Sequence, residues 1–118
     1  MAQKYIIGDI VMYKNRIQTI TGISASNGYK LSDVRNPVSP VRISGVPLTP
    51  EILEKNGWVK DKEDYINDSY HLHLCGKYDR YSVCKVVNDN IVWLTDVRNV
   101  SDLQHLLFGL DINHEMEV

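Results

Sequence analysis

The sequence predicts an α+β fold: an N-terminal SH3-like small β-barrel, then a short helix, a three-stranded antiparallel meander and a C-terminal covering helix. Short runs of β-branched residues separated by turn residues occupy residues 1–47. A second group of such runs covers residues 65–97, and leucines at helical spacing follow it. Strand runs and helical patterns that are segregated along a chain are typical of α+β domains. We therefore predict an SH3-like β-module at residues 1–47, and a helix, meander and helix at residues 48–118, packed together as one unit.

The composition is that of an ordinary folded protein. Of the 118 residues, 43% are hydrophobic and 24% are charged, which favours neither disorder nor a fibrous repeat. The sequence contains no apolar run long enough to span a bilayer, and its start lacks the features of a secretory signal. We therefore expect a cytoplasmic protein without membrane association. Cys75 and Cys84 are too few for a disulfide framework and are expected to be free thiols.

The β-module is predicted from four short strands and the turns between them. Lys14 and Asn15 separate the first two strands. The segment Ser26-Asn27-Gly28 tolerates a positive φ angle, which indicates a hairpin, and Pro37 and Pro40 mark the loop before the last strand. This number and spacing of strands is typical of a small barrel. The predicted strands are residues 8–13, 16–23, 29–31 and 41–44.

A short helix is predicted between the two β regions. Thr49 can cap it, Pro50 suits the first helical position, and Glu51 lies near the positive end of the helix dipole. Gly57 can end the helix, so it has fewer than two turns. Such a short helix forms only when tertiary packing stabilises it.

The meander is predicted from three strands, Tyr65–Cys75, Tyr81–Val87 and Ile91–Val97, with turns at residues 76–80 and 88–90. A change of one residue in either turn would exchange the faces on which the side chains lie. With the turns as predicted, one face carries Leu72, Leu74, Cys84, Val86, Val92 and Leu94. The outer face carries His71, His73, Cys75, Tyr81, Val83, Lys85 and Trp93.

The last predicted element is an amphipathic helix. Ser101 and Gln104 have the spacing of a capping box. The apolar stripe needs a partner, and we expect it to cover the leucine and valine face of the meander. The leucines of the stripe, at positions i, i+3, i+4 and i+7, are Leu103, Leu106, Leu107 and Leu110.

Three segments, Ile7–Val11 (IGDIV), Val46–Trp58 (VPLTPEILEKNGW) and Val100–Leu110 (VSDLQHLLFGL), resemble a family of small uncharacterised proteins from Bacteroides-type genomes and their phages or mobile elements. The central segment is the most specific of the three, and the three segments in order, from residue 7 to residue 110, span almost the whole chain. The resemblance implies a bacterial or phage origin and a single architectural unit. It implies no catalytic residue.

The most suggestive local motif is His71-Leu72-His73-Leu74-Cys75. In a continuous strand the two histidines and Cys75 would project from one face, and zinc accepts ligands of these types. A metal-dependent or cysteine enzyme that uses this strand is therefore one alternative, and a solvated strand surface is the other. The sequence has no nucleophile elbow, phosphate-binding glycine loop or dinucleotide fingerprint. We therefore expect no catalytic activity, no bound metal and no cofactor.

The charge is distributed unevenly along the sequence. Residues 1–47 carry six basic and two acidic residues, whereas residues 48–118 carry seven basic and thirteen acidic residues. A basic region that also contains tyrosines can bind nucleic acid, although tyrosines also fill small β cores. Nucleic-acid binding by the N-terminal half is therefore an alternative function. The candidate residues are Lys14, Arg16, Lys30 and Arg42.

The outer face of the meander is the main candidate surface. Tyr81, Trp93, His71 and His73 combine aromatic and imidazole groups, which are typical of binding anchors. The alternative is that this face is buried between the two halves of the chain. We predict a non-catalytic interaction module, with a protein partner or self-association, that serves as an accessory protein of a phage or mobile element.

Overall fold

The computed structural model describes residues 5–25, 28–77 and 80–118 and is α+β, with mostly antiparallel sheets. The chain forms two compact units. Unit 1 combines Met1–Pro47 with Asn99–Met116, and unit 2 combines Leu48–Arg98 with Glu117–Val118. Unit 1 therefore contains six basic and five acidic residues, and unit 2 contains seven basic and ten acidic residues.

The sheet of unit 1 has four antiparallel strands in the order β3-β2-β1-β4. Lys14 and Asn15 have φ angles of 48° and 61°, so they form a tight two-residue turn between β1 and β2. A 3₁₀ helix at Pro40–Arg42 precedes β4. The strands are β1 (Ile10–Tyr13), β2 (Arg16–Ile23), β3 (Tyr29–Leu31) and β4 (Ser44–Gly45).

The predicted SH3-like barrel is not closed in the described part of the chain. The expected strand at residues 41–44 is replaced by the 3₁₀ helix and by β4, which has only two residues. The fixed φ angle of Pro40 suits the first turn of a helix. Because the 3₁₀ helix occupies residues 40–42, only Ser44 and Gly45 pair with β1. The predicted turn at Ser26-Asn27-Gly28 falls largely on residues 26 and 27, which lie outside the described residues.

The core of unit 1 is built from tyrosines and aliphatic side chains. The rings of Tyr5 and Tyr29 pack edge to face with centroids 5.4 Å apart, and the Tyr5 backbone N–H donates to the Tyr29 hydroxyl at 3.2 Å. These two tyrosines therefore belong to the core. The other buried members of this cluster are Val11, Ile20, Leu31, Val38 and Ile43.

The second helix, α2 (Val100–Gly109), belongs to unit 1 and contacts β1. We expected it to cover the meander, but an apolar stripe does not specify which sheet it meets. A buried hydrogen bond from the Ile10 N–H to the Gln104 side chain ties α2 to β1. Its cap also differs from the prediction: the Asn99 backbone N–H donates to Asp102 Oδ2 at 3.0 Å. Ser101 and Gln104 are instead buried.

Unit 2 contains helix α1 (Pro50–Lys55) and a five-stranded antiparallel meander in chain order. Thr49 caps α1 as predicted, because its Oγ1 accepts from the Ile52 N–H at 3.3 Å. Gly57, at φ 85°, follows the end of the helix. The strands are β5 (Val59–Asp61), β6 (Asp64–Asn67), β7 (Leu72–Lys77), β8 (Arg80–Val87) and β9 (Asn90–Val97).

The meander has two more strands than predicted. The run Tyr65–Cys75 is divided by a turn that ends at His71, whose φ angle is 56°. β5 was not predicted because Val59 is the one apolar residue among its three, and all three are exposed. It pairs with β6 through a turn in which Lys62 has a φ angle of 59°. Positive φ at a non-glycine residue is hard to read from sequence alone.

The register of the meander reverses the predicted face of β8 relative to β7. Lys77 pairs with Arg80, so the connection between these strands has two residues instead of the predicted five. Leu74 consequently lies beside Val83, and His73 lies beside Cys84. One face of the sheet, here called the covered face, is buried. It includes Tyr65, Leu72, Leu74, Val83 and Val97.

Candidate functional site

The opposite face of the meander, here called the open face, carries a row of side chains that crosses all five strands. Neighbouring members are cross-strand partners, so their side chains lie next to each other on one face. The ends of the row are exposed, with 67% of Val59 and 62% of Trp93 accessible to solvent. We call this set the apolar row: Val59, Ile66, His73, Cys84 and Trp93.

A β-bulge brings Trp93 to the open face. Val83 pairs with Thr95, and Cys84 pairs with Trp93, which leaves Leu94 as an extra residue in β9. Without this residue, Trp93 would lie on the same face as Thr95. Ile91, two residues before Trp93, shares the open face and is 66% exposed.

A second row beside the apolar row carries carboxylates. Asp96 accepts hydrogen bonds from Ser82 Oγ at 2.8 Å and from Trp93 Nε1 at 3.3 Å, and it forms an ion pair with Arg80 at 3.3 Å. The indole of Trp93 is therefore held by the neighbouring row. We call this set the acidic row: Asp61, Asp64, Cys75, Ser82 and Asp96.

A shallow cleft of about 500 Å³ lies at the β5–β6 end of the open face. Val59 and Ile66 of the apolar row line it, together with Asp61 of the acidic row. Asp68 adds a further carboxylate to its wall, and Lys60 adds one ammonium group. The open face therefore has a concave apolar end with acidic neighbours, and an exposed tryptophan at the other end.

The covered face holds Tyr65 and Tyr81, whose rings pack edge to face with centroids 6.3 Å apart. Burial raises the pKa of the Tyr65 hydroxyl, and the carboxylates of Glu54 and Glu51 raise it further. Burial also raises the pKa of Tyr81, with smaller contributions from Tyr65 and Glu51.

Two of the four predicted partner-binding residues lie together on the open face. His73 and Trp93 both belong to the apolar row. Tyr81 instead lies on the covered face, because the short connection between β7 and β8 changes its parity. His71 lies outside β7, in the preceding turn, where its carbonyl accepts from the Val86 N–H at 2.9 Å.

The His71-Leu72-His73-Leu74-Cys75 motif, the basis of the alternative metal-dependent or cysteine enzyme, is divided by the same turn. His71 does not continue the strand that contains His73 and Cys75, so the three side chains do not project from one strand face. Among residues 5–25, 28–77 and 80–118, no group of three or more His, Cys, Asp or Glu side chains is arranged to hold a metal ion. Cys75 and Cys84 form no disulfide bond with each other, and Cys84 is buried.

Unit 1 contains a buried polar cluster that the sequence analysis missed. Asp9 is fully buried, and its Oδ2 accepts from the Ile6 N–H at 2.9 Å and contacts His105 Nε2. Gln104, also fully buried, accepts from the Ile10 N–H at 2.8 Å and donates to the Gly8 carbonyl at 2.8 Å. The available signal was two polar residues inside a leucine-rich helix. We call this set the polar clamp, because it fastens α2 to the start of β1.

The polar clamp also fixes the segment after α2. The Gln104 side chain donates to the His114 carbonyl at 3.0 Å, and the His114 ring packs edge to face against Phe108. Its ring nitrogen lies 3.4 Å from the Ile7 carbonyl. All the contacts of the clamp hold backbone segments together, which is a structural role.

The four predicted nucleic-acid residues are exposed in unit 1, but they do not form one group. Lys14 and Arg16 lie at the tip of the β1–β2 hairpin, and Arg42 ends the 3₁₀ helix. Lys30 pairs with Gly22, near the other end of β2. A strand rises about 3.3 Å per residue, so about 20 Å separates Lys30 from Arg16.

Comparison with protein-family models, with curated proteins and with solved structures finds no match. In the described residues, neither helix is long and apolar enough to cross a membrane.

Proposed function

We propose that the protein is a non-catalytic interaction module, and that the open face of unit 2 binds an amphipathic helix of a basic partner protein. The observation that carries this proposal is the apolar row, which crosses five strands and has Val59 and Trp93 exposed at its ends. Between these ends Ile66 and His73 are half-buried and Cys84 is buried. Large apolar side chains that are exposed on one face mark interaction surfaces. Tryptophan is the residue type most often found among binding hot spots.

The dimensions of the row suit a short helix. Adjacent strands are about 4.8 Å apart, so five strands span about 19 Å between the first and the last. A helix of about 13 residues has that length, and it presents an apolar side chain at every third or fourth position. Such a helix would place one end in the cleft beside Val59 and the other against Trp93.

The charge of unit 2 favours a basic partner over a second copy of this chain. The acidic row runs beside the apolar row, and unit 2 has three more acidic than basic residues. Two copies packed through this face would bring like charges together, which disfavours association. Lysine or arginine side chains along the edge of a bound helix would instead pair with Asp61 and Asp64.

A synthetic peptide pair tests this proposal. The first peptide is a labelled helix of about 14 residues with leucines at i, i+3, i+4 and i+7 and lysines elsewhere, and the second replaces each lysine with glutamate. We expect saturable binding of the lysine peptide alone, measured by fluorescence anisotropy. Trp93→Ala should weaken that binding about tenfold or more. Because Trp93 is exposed, the substitution should leave the thermal unfolding midpoint nearly unchanged.

The matched control is Val41→Ala, which truncates an apolar residue of unit 1 that is 90% exposed and should leave the affinity unchanged. Equal binding of the two peptides would contradict the charge argument, and equal loss in both variants would contradict the location. A dimer in sedimentation velocity that Trp93→Ala converts to a monomer would show that the occupant is a second copy instead.

We further propose, from the resemblance of the three sequence segments, that this module is an accessory protein of a bacterial phage or mobile element. A cytoplasmic location, where Cys75 and Cys84 stay reduced, is part of this proposal. The genes that flank the coding sequence test it. Neighbours encoding integrase, transposase or virion proteins would support it, and a neighbourhood of housekeeping genes would argue against it.

A further inference from the structure

A second concave surface lies in unit 1, between the end of β1 and the loop that leads into the 3₁₀ helix. It has a volume of about 600 Å³ and contains two arginines and one tyrosine. We call it the arginine cleft. Its lining residues are Tyr13, Val34, Arg35, Asn36, Pro37, Val38, Ser39 and Arg42.

The two arginines of the cleft have unused hydrogen-bond donors. Arg35 and Arg42 are exposed, and neither forms an ion pair or a side-chain hydrogen bond with another residue in the described part of the chain. No acidic residue is among the described residues that line the cleft. Two guanidinium groups that share a concave surface, without a carboxylate to neutralise them, suit an oxyanion that accepts from several donors.

Tyr13 brings an aromatic ring and two further cations to the same place. Lys14 Nζ lies 5.4 Å from the centroid of its ring, within the range of a cation–π contact. Arg16 is the cross-strand partner of Tyr13. The ring is partly buried against the core of unit 1, which limits its motion. Lys14 and Arg16 therefore lie beside this half-exposed ring, and Arg35 and Arg42 line the same cleft.

We propose that the arginine cleft binds single-stranded nucleic acid, with Arg35 and Arg42 on the phosphodiester backbone and Tyr13 as the surface on which a base stacks. An aromatic platform flanked by cations is the arrangement that binds single strands with little sequence preference. A single phosphorylated side chain would use only the two arginines. Lys14 and Arg16 extend the basic surface beyond the cleft, as a repeating phosphate backbone requires.

This site is separate from the open face, so it stands whether or not the peptide proposal holds. It also differs from the set of residues predicted from sequence. Arg35 and Tyr13 join the site because they line the cleft with Arg42, whereas Lys30 is excluded because it lies near the other end of β2.

The test is the anisotropy of fluorescently labelled oligothymidylate and oligouridylate, about 12 nucleotides long, mixed with the full chain. Binding of single strands weakens with salt with a slope of about 0.7 per neutralised phosphate. Four contacts therefore predict an affinity loss of about 50-fold between about 50 mM and about 200 mM salt. The absence of saturable binding at the lower salt concentration would overturn the proposal.

Charge-matched variants locate the site. Arg35→Gln and Arg42→Gln should each weaken binding about tenfold and reduce the salt slope by about 0.7. Lys30→Gln removes the same charge at the far end of β2 and should change the affinity less than twofold. An equal loss in all three variants would indicate a diffuse charge effect and would overturn the assignment to the cleft.

Tyr13→Leu separates stacking from charge. It should weaken binding about tenfold and leave the salt slope unchanged, because no phosphate contact is removed. An unchanged affinity in this variant would overturn the stacking role. A labelled phosphoserine peptide is the competing probe, and tighter binding of that peptide than of either oligonucleotide at equal salt would overturn the choice of ligand.

Discussion

Unit 1 and unit 2 differ in what holds their segments together. Unit 1 buries a carboxylate and an amide, Asp9 and Gln104, and uses them to join segments that lie far apart in the sequence. Unit 2 builds a sheet from neighbouring segments and leaves apolar side chains such as Trp93 and Val59 in solvent. The difference shows that buried polar groups can join two segments of a unit that are distant in the sequence. A meander of consecutive strands needs fewer such contacts and can leave one face open for binding.

Among the variants that test this comparison, we expect Gln104→Leu in the polar clamp to lower the free energy of unfolding the most. Leucine has about the same side-chain volume as glutamine, but it leaves the Ile10 N–H and the Gly8 carbonyl without hydrogen-bond partners. Buried groups without partners cost about 1–3 kcal/mol each, so we expect the free energy of unfolding to fall by about 3 kcal/mol. Urea unfolding followed by circular dichroism measures this loss.

Val41→Ala, at a position of unit 1 that is 90% exposed and lies outside the polar clamp, is the control for Gln104→Leu and should change stability by less than about 0.5 kcal/mol. In Gln104→Leu, amide exchange at Ile10 should accelerate, while the amides of β7 and β8 should change less. Equal stability of the wild type and Gln104→Leu would show that the clamp is not what holds α2.

A smaller effect is expected where β4 meets the start of α2. A Cβ atom at Gly45 would lie 2.4 Å from Asn99 Cγ, so Gly45→Ala must displace the residue that caps the helix. We expect a loss of about 1 kcal/mol, which is the usual value of an N-cap. Gly109→Ala is the matched control, since nothing lies within 4 Å of its Cβ position.

Gly109→Ala should stabilise the protein by about 0.5 kcal/mol, because alanine restricts the unfolded chain and favours the helix. Thermal unfolding of the two variants should therefore shift in opposite directions. A Gly45→Ala protein as stable as Gly109→Ala would mean that Asn99 moves aside without cost.

The smallest effect concerns the covered face of unit 2 at high pH. Burial raises the pKa of Tyr65 above its ordinary value of 10.0. The unfolded chain therefore loses the Tyr65 proton at lower pH than the folded chain does. The free energy of unfolding should be constant with respect to this group below pH 10 and should fall as the pH rises above it.

Tyr65→Phe removes this titration, so its stability should depend less on pH above 10 than that of the wild type. Tyr81→Phe should act in the same direction, because burial raises that pKa also. Urea unfolding at a series of pH values from 8 to 11 measures the slopes. If the free energy of unfolding depends on pH equally in the wild type and in a protein that carries both Tyr65→Phe and Tyr81→Phe, burial of the two hydroxyls is contradicted.

The elements of this fold were readable from sequence where local chemistry decides them. Lys14 and Asn15 turn the first hairpin as predicted, and Thr49 begins α1 with the expected hydrogen bond. The prediction of a barrel was wrong, because the last strand, Ser44–Gly45, has only two residues and does not close the sheet. The partner of α2 depends on Gln104 and Gly8, which are 96 residues apart, and no local pattern carries that information.

The candidate sites were readable only in part, and for a related reason. Trp93 and His73 were placed on one face, but the same prediction assigned Tyr81 to that face and Cys84 to the other. A two-residue connection and one extra residue, Leu94, decide these parities, and neither is visible in the hydrophobic pattern. Arg35 was missed because its place in a cleft with Tyr13 exists only after the loop folds.

The discontinuity of unit 1 has a consequence for how the protein is made. Ribosomal synthesis proceeds at about 5–20 residues per second, so residues 10 and 104 leave the ribosome roughly 5–20 s apart. Leu48–Arg98 supplies α1 and every strand of the meander before α2 exists. During that interval the Ile10 N–H cannot form its hydrogen bond to the Gln104 side chain. We therefore expect unit 2 to fold first on the nascent chain, and unit 1 to close last.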